Sequence, residues 1–124
     1  MGTNVFLSYG KADEALANHV AVGLAAAGIR AETFVPTAGI DLSNKLRDLL
    51  QESDAVVVVL SGGASSNGWL MAELGAARAL DKRIVAIHSD TMPLPFSLSE
   101  TSVIEAAQLS PDDVARTVVA HLAA

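Results

Sequence analysis

The stretch Ala55-Val56-Val57-Val58-Val59-Leu60 is the most apolar run of the chain, and the rest of the sequence is interpreted from it. Such a continuous aliphatic run, rich in β-branched valine, is typical of a strand that is buried on both faces. Strands of this kind occur in parallel sheets that carry helices on both sides, because neither face of the run can remain in water. We therefore expect this stretch to be the central strand of a parallel sheet.

After this strand comes Ser65-Ser66-Asn67-Gly68-Trp69-Leu70-Met71-Ala72-Glu73-Leu74-Gly75-Ala76-Ala77-Arg78, which we interpret as a polar loop and then a helix. Trp69 and Glu73 are four positions apart and therefore share one helix face. Glu73 falls within the broad apolar surface of this helix, where a carboxylate must be paired, half-solvated or functional. As a structural residue it would pair with Arg78 or Lys82, and as a functional residue it would mark a site.

The composition and charge of the chain restrict the classes of function. The 124 residues, 51% of them hydrophobic, are expected to form a single domain over residues 1–124 with one core. A net charge of −6 with only 8 Lys and Arg argues against partners such as nucleic acid or an anionic membrane. The absence of Cys excludes thiol nucleophiles and thiolate metal sites, and it fits a cytoplasmic protein. Since His19, His88 and His121 lack the spacing of metal ligands, no metal site is expected.

Strand and helix patterns alternate along the chain. This alternation predicts an α/β, flavodoxin-like fold in three layers, with a five-stranded parallel sheet of order 2-1-3-4-5 and helices on both faces. The second strand is the more polar one and is expected at an edge of the sheet. The candidate strands are residues 5–8, 30–34, 55–60, 83–88 and 103–107, and the candidate helices are residues 12–27, residues 41–52, the segment with Trp69 and Glu73, and one that starts at Ser110-Pro111.

Ligands of such sheets bind beyond the carboxyl ends of the strands, at the point where the strand order reverses. Here that point lies between strands one and three, so residues 8–11 and 61–66 are expected to border the crevice. Glu73 follows in the helix that leaves the second of these segments. The unusual carboxylate and the usual ligand site of the fold are therefore expected to lie near each other.

Four motifs along the chain form a pattern. They are Phe6-Leu7-Ser8-Tyr9 with Asp13, a loop with Pro and Gly after strand two, Val59-Leu60-Ser61, and Ser66-x-x-Trp69-x-x-x-Glu73-Leu74. Together they resemble the motifs of a bacterial Toll/interleukin-1 receptor (TIR) domain. The resemblance covers nearly the whole chain, and the Trp-x-x-x-Glu spacing after a Ser-containing loop is its most specific part. The chain departs from the family in its short loop after strand two and in Thr33-Phe34, where the family often has an acidic residue.

The resemblance implies that the chain cleaves NAD at the nicotinamide–ribose bond, as many TIR domains do, in bacterial immune signalling or defence. NAD would be the substrate, no cofactor is implied, and Glu73 would be the catalytic residue by its place in the motif. The residues expected to contact the substrate are Ser8, Tyr9, Phe34, Ser61, Ser66 and Trp69. In this family the loop after strand two also mediates association with other TIR domains, and here it would do so through Val35, Pro36, Gly39 and Ile40.

Three alternatives to an NAD-cleaving enzyme stay open from the residues. A non-catalytic TIR domain would act only through contacts with other TIR domains. A nucleoside deoxyribosyltransferase-like N-glycosidase would also have a Rossmann-like core, and its Glu-x-Gly-x-Ala stretch is comparable to Glu73-Leu74-Gly75-Ala76-Ala77. A response-receiver-like domain is disfavoured, because no acidic pair follows strand one and strand three does not end in Asp.

Overall fold

The computed structural model describes residues 3–33, 42–60, 80–90 and 102–123 of the chain. Strands and helices alternate along residues 3–60. The strands are β1 (Thr3–Tyr9), β2 (Ile29–Glu32), β3 (Ala55–Leu60), β4 (Arg83–His88) and β5 (Ser102–Glu105). The helices are α1 (Glu14–Ala26), which follows a 3-10 turn (Lys11–Asp13), α2 (Leu42–Gln51) and α3 (Pro111–Ala123).

The five strands form one parallel sheet of order β2-β1-β3-β4-β5. This is the flavodoxin-like order, so the predicted fold class is confirmed. Because crossovers between parallel strands are right-handed, α1 and α2 lie on opposite faces of the sheet. The strand order reverses between β1 and β3, which places the crevice of the fold at the carboxyl ends of these two strands.

The central strand β3 is enclosed along its whole length. All of its residues are buried, and Ala55, the most accessible of them, is only 3% exposed. Val57 and Val59 pack in the core together with residues of α1 and α3. The alternation of side chains along a strand directs Val58 and Leu60 to the opposite face. The doubly buried strand predicted from the apolar run is therefore confirmed.

Helix α1 packs on the sheet through Ala17, Val20 and Leu24, which are buried at helical spacing. The sequence predicts this helix from residue 12, whereas the structure begins it at Glu14, after the 3-10 turn. The helix ends at Ala26, one residue before its predicted end, and Gly28 follows as the predicted stop. Gly28 has a φ of +81°, a left-handed conformation that glycine adopts without strain, and β2 starts at the next residue.

Three strands differ from their predicted bounds by one or two residues. β1 runs over Thr3–Tyr9 and not only residues 5–8, because its ladders with β2 and β3 extend over these residues. The other two are the edge strands. β2 starts at Ile29 because its ladder with β1 begins at the pair of Ile29 and Thr3. β5 ends at Glu105 because a turn follows, in which the amide of Leu109 donates to the carbonyl of Ala106. Residue 34, the predicted end of the second strand, lies outside the described residues. The edge position of β2 agrees with its more polar sequence.

Helix α3 begins as the sequence predicts. The amide of Asp113 donates to Oγ of Ser110 at 3.1 Å, and Pro111 occupies the first helical position. At the other end, the guanidinium of Arg83 on β4 donates to the carbonyl oxygen of His121. Since the last carbonyl groups of a helix lack partners within the helix, this contact ties the end of α3 to the sheet.

Helices α1 and α3 lie on the same face of the sheet and meet at Gly23. A Cβ atom at Gly23 would lie 2.5 Å from the Cβ of Ala115, which is closer than two such carbon atoms can approach. Ala115 cannot turn away, because its Cβ is fixed to the backbone of α3. The lack of a side chain at Gly23 therefore sets how closely the two helices pack.

We expect Gly23→Ala to destabilise the protein, because the new methyl group must push α1 and α3 apart. Overpacking of this kind costs about 1–3 kcal/mol, against a gain of roughly 1 kcal/mol from the better helix propensity of alanine. Urea unfolding measures the balance. The double variant Gly23→Ala/Ala115→Gly should be more stable than the sum of the two single variants predicts. A Gly23→Ala protein that is clearly more stable than wild type would contradict the close contact.

Candidate functional site

The carboxyl ends of β1, β3 and β4 lie side by side along one edge of the sheet. The register pairs Tyr9 with Val59 and Leu60 with His88, so these ends are nearly level. In a doubly wound sheet, ligands bind at this edge, beside the two strands between which the order reverses. The described polar residues at or just beyond the edge are Ser8, Asp13, His88, Ser89, Asp90 and Glu105.

Ser8 brings a buried hydroxyl group to the end of β1. The residue is only 4% exposed, and its hydroxyl has no hydrogen-bond partner among the residues that the structure describes. Buried polar groups are nearly always paired, because leaving one unsatisfied costs about 1–3 kcal/mol. The register places Ser8 beside Val58 of the central strand. Ser8 is therefore a polar group that a ligand at this edge could satisfy.

Tyr9 lies next to Ser8 in the sequence but on the other face of the sheet, because successive side chains of a strand alternate. It packs, half-buried, against the core that the sheet forms with α1 and α3. A single ligand would contact both residues only by reaching over the end of β1. The role of Tyr9 in substrate binding stays a prediction.

A hydrogen bond joins Asp13, which follows β1, to Ser89, which follows β4, although these two strands are not neighbours in the sheet. Oγ of Ser89, just after β4, donates to Oδ1 of Asp13 at 2.8 Å and lies 3.1 Å from the carbonyl oxygen of Leu60. The amide of Ser89 also donates to this carbonyl, at 2.8 Å. Both side chains of the pair are partly buried. The ends of β1, β3 and β4 are therefore tied together in one hydrogen-bond group.

His88, the last residue of β4, lies between two carboxylates. Its Nδ1 is 2.8 Å from Oε2 of Glu105 on β5, and its Nε2 is 3.6 Å from Oδ1 of Asp90. The imidazole is largely buried, whereas the carboxylate of Glu105 is exposed. The pair of His88 and Glu105 fixes the orientation of the ring, so this end of the edge is polar and ordered.

Most of the site residues predicted from the sequence lie outside the described residues. The structure places Ser8 near the carboxyl end of β1 and Tyr9 on the opposite face of the sheet, and the contact of both with a substrate stays a prediction. For the others, including the catalytic candidate, the predictions also stand untested. These residues are Phe34, Val35, Pro36, Gly39, Ile40, Ser61, Ser66, Trp69 and Glu73.

The sequence does not predict the hydrogen bonds that join Asp13, Ser89 and Leu60 at the carboxyl ends of the strands. Asp13 is noticed only as part of a motif, and Ser89 falls in a stretch expected to be loop. The two are 76 positions apart, and no local pattern links them. The sheet order supplies the missing information, since it puts the residues that follow β1 and β4 on either side of β3.

The described ranges contain neither a metal-binding cluster nor a membrane-spanning helix. Within 3–33, 42–60, 80–90 and 102–123, no group of three or more His, Asp or Glu side chains is arranged to hold a metal ion. None of the helices in the same ranges has the length and apolar character needed to cross a membrane.

Comparison with known proteins identifies the family. A family model described as a TIR domain matches residues 5–121. Among curated protein sequences, none matches the chain. The chain therefore belongs to the TIR domain family, as its motifs suggest.

Solved structures of TIR domains share this fold. One is the TIR domain of the Toll-related receptor TRR-2 from Hydra magnipapillata, with a TM-score of 0.75 and 22% identity over 97% of this chain and 98% of that one. The heterodimer of the RPS4 and RRS1 TIR domains gives a TM-score of 0.71 and 18% identity, covering 98% and 96%. The TIR domains of the activated Roq1 resistosome, which recognises the pathogen effector XopQ, give 0.59 and 20% identity, covering 97% and 72%.

The two buried serines of the described residues allow a test of the Ser8 hydroxyl. Ser53 is also buried, but its hydroxyl donates to the carbonyl of Leu49 at 2.6 Å. We expect Ser53→Ala to lower the free energy of unfolding by about 0.5–1.5 kcal/mol, the net value of a hydrogen bond. Ser8→Ala should be as stable as wild type or slightly more stable, because it removes an unsatisfied group. Urea unfolding compares the two, and equal losses would mean that the Ser8 hydroxyl has a partner in the folded protein.

Proposed function

We propose that this TIR domain is an NAD nucleosidase that cleaves the nicotinamide–ribose bond, with Glu73 as its catalytic carboxylate. The observation that carries the proposal is the spacing Ser66-x-x-Trp69-x-x-x-Glu73 in a chain that belongs to the TIR family. The product would be linear or cyclic ADP-ribose, and the biological setting bacterial immune signalling or defence.

The chemistry needs one well-placed carboxylate. When the bond between C1′ of the ribose and the nicotinamide nitrogen breaks, nicotinamide leaves as a neutral molecule with the bonding electron pair. Positive charge then develops on the ribose, and a fixed negative charge beside it stabilises the transition state. Water or the adenine of the same molecule attacks C1′ and loses a proton. Because nicotinamide in NAD is already a cationic leaving group, no general acid is required to expel it.

The sheet order supports this assignment. β3 ends at Leu60, level with the end of β4 and beside β1, and the chain runs from there toward Glu73. β1 brings the unsatisfied hydroxyl of Ser8 to the same edge. Ribose hydroxyl groups are the natural partners for such a hydroxyl, since each can both donate and accept. A nucleotide bound across β1 and β3 would therefore satisfy Ser8.

Glu73→Gln tests the catalytic role, because it keeps the size and polarity of the side chain but removes the charge. We expect NAD cleavage to fall by about 10²-fold or more, as for other preorganised electrostatic groups. The measurement is the mass of the products formed from NAD at high protein concentration. The melting curve should be unchanged, since the variant is isosteric.

The matched control for Glu73→Gln is Glu52→Gln, an exposed acid in the turn after α2. It should leave activity at the wild-type level. Equal turnover by Glu73→Gln and wild type would reject the proposed mechanism. If Glu73 only pairs with Arg78 or Lys82, its loss would cost a little stability and no activity.

A second candidate function is that of a TIR–TIR interaction module without catalysis. It is favoured by the solved heterodimer of two TIR domains whose fold this chain shares. In this proposal the loop of residues 35–41 carries the contact through Val35, Pro36 and Ile40. Such a protein would self-associate but would not turn over NAD, even when it is concentrated or clustered.

Association and catalysis are linked if a neighbouring copy completes the site. Turnover per molecule should then rise with protein concentration. Gly39→Pro should weaken this rise, because Pro fixes φ and removes an amide donor in the association loop. Activity measured over a wide range of concentrations, with sedimentation in parallel, tests the link. A total rate of NAD cleavage that is strictly proportional to protein concentration would contradict the link between association and catalysis. Glu52→Gln again serves as the control.

A further inference from the structure

The contact between Asp13 and Ser89 has an unusual feature. Asp13 stands directly before α1, at the position where an Asp side chain normally accepts a hydrogen bond from the first turn of the helix. Here the carboxylate makes no such capping bond. It accepts a hydrogen bond from the hydroxyl of Ser89 instead, at 2.8 Å. The side chain is therefore used for a contact across the sheet and not for its own helix.

This contact spans the exit of the central strand. Asp13 follows β1 and Ser89 follows β4, and the two strands are the neighbours of β3 on either side. Ser89 also holds the carbonyl oxygen of Leu60, the last residue of β3, through its amide. One serine thus links the ends of three strands. A hydrogen bond to a carboxylate is about twice as strong as one between neutral groups. The bond between Ser89 and Asp13 is therefore the strongest of the hydrogen bonds described at the end of β3.

We propose that Asp13 and Ser89 are positioning residues for the NAD-cleaving site, which hold the segment after β1 in place across the carboxyl ends of β3 and β4. The inference rests on the proposed function. The substrate would be held from β1, while the catalytic carboxylate comes from the segment after β3. A shift of the segment after β1 would therefore displace the reacting bond from the carboxylate. Displacements of about 1 Å lower rates by up to 10²-fold without preventing binding.

The test is a kinetic comparison of variants of Ser89. Ser89→Ala should lower kcat for NAD cleavage about 10-fold or more, with KM within about 3-fold of wild type. Ser89→Thr keeps the hydroxyl and should restore most of kcat. Asp13→Ala should resemble Ser89→Ala, and the double variant should be no worse than either single one, because both remove the same bond.

The matched control is Asp54→Ala. The carboxylate of Asp54 accepts a hydrogen bond from the amide of Asn4 at 2.8 Å. It therefore also links β1 to the start of β3, but at the amino ends of the strands. Its loss should affect the melting temperature as much as the loss of Asp13 does and leave kcat unchanged. If kcat followed stability alone, Asp54→Ala and Asp13→Ala would lose activity equally, and the inference would be overturned.

The remaining outcomes separate this inference from the proposed function. Wild-type protein that turns over NAD, together with Ser89→Ala at the wild-type kcat, would overturn the positioning role and leave the proposed function in place. Wild-type protein that shows no turnover, even when clustered, would overturn both. A lowered kcat in Ser89→Ala that Ser89→Thr restores, with Asp54→Ala unaffected, supports the inference.

Discussion

The structure depends on the burial of β3 on both faces. A strand of six buried aliphatic residues needs a layer of helices above and below and a strand on either side. These requirements explain why β1 and β4 run parallel to it and why α1 and α2 lie on opposite faces of the sheet. They also put the end of β3, and the chain that continues from it, at the centre of the edge where ligands bind in this fold.

Polar groups are sparse in so apolar a core, and each one that is present is informative. Among the described residues, only Ser8 and Ser53 are polar and buried, and they differ in kind. Ser53 uses its hydroxyl within the turn that ends α2, as a serine after a helix commonly does. Ser8 has no such local partner, although it lies in a strand where valine or alanine would pack better. The ligand proposed for this end of the sheet would account for this cost.

The extent to which the sequence predicts this structure varies with the physical origin of each element. β3 and β4 are predicted to the residue, because continuous apolar runs have sharp ends. The bounds of β1 and of the edge strands β2 and β5 are predicted less closely, since pairing with neighbouring strands and the turns that follow define them more than their own side chains do. The start of α1 is predicted two residues too early, because the chain enters the helix through the 3-10 turn Lys11–Asp13. The partner of Asp13, Ser89, becomes visible only once the sheet order is known. Glu73 lies outside the described ranges, so its assignment rests on the sequence motif and on the position of the end of β3, from which the chain continues.

The amino ends and the carboxyl ends of the strands are tied in different ways, and the difference bears on function. At the amino ends, Asp54 and Asn4 are linked by an amide–carbonyl hydrogen bond of 2.7 Å and by a second bond to the Asp54 carboxylate. These bonds join β1 and β3, two strands that the backbone ladder of the sheet already joins. At the carboxyl edge, Asp13 and Ser89 join β1 to β4, which are not neighbours in the sheet, and so add a constraint that strand pairing lacks. Its loss should change the geometry of the edge more than the stability of the fold. Side chains of this kind allow a common fold to acquire a particular site without altering its core.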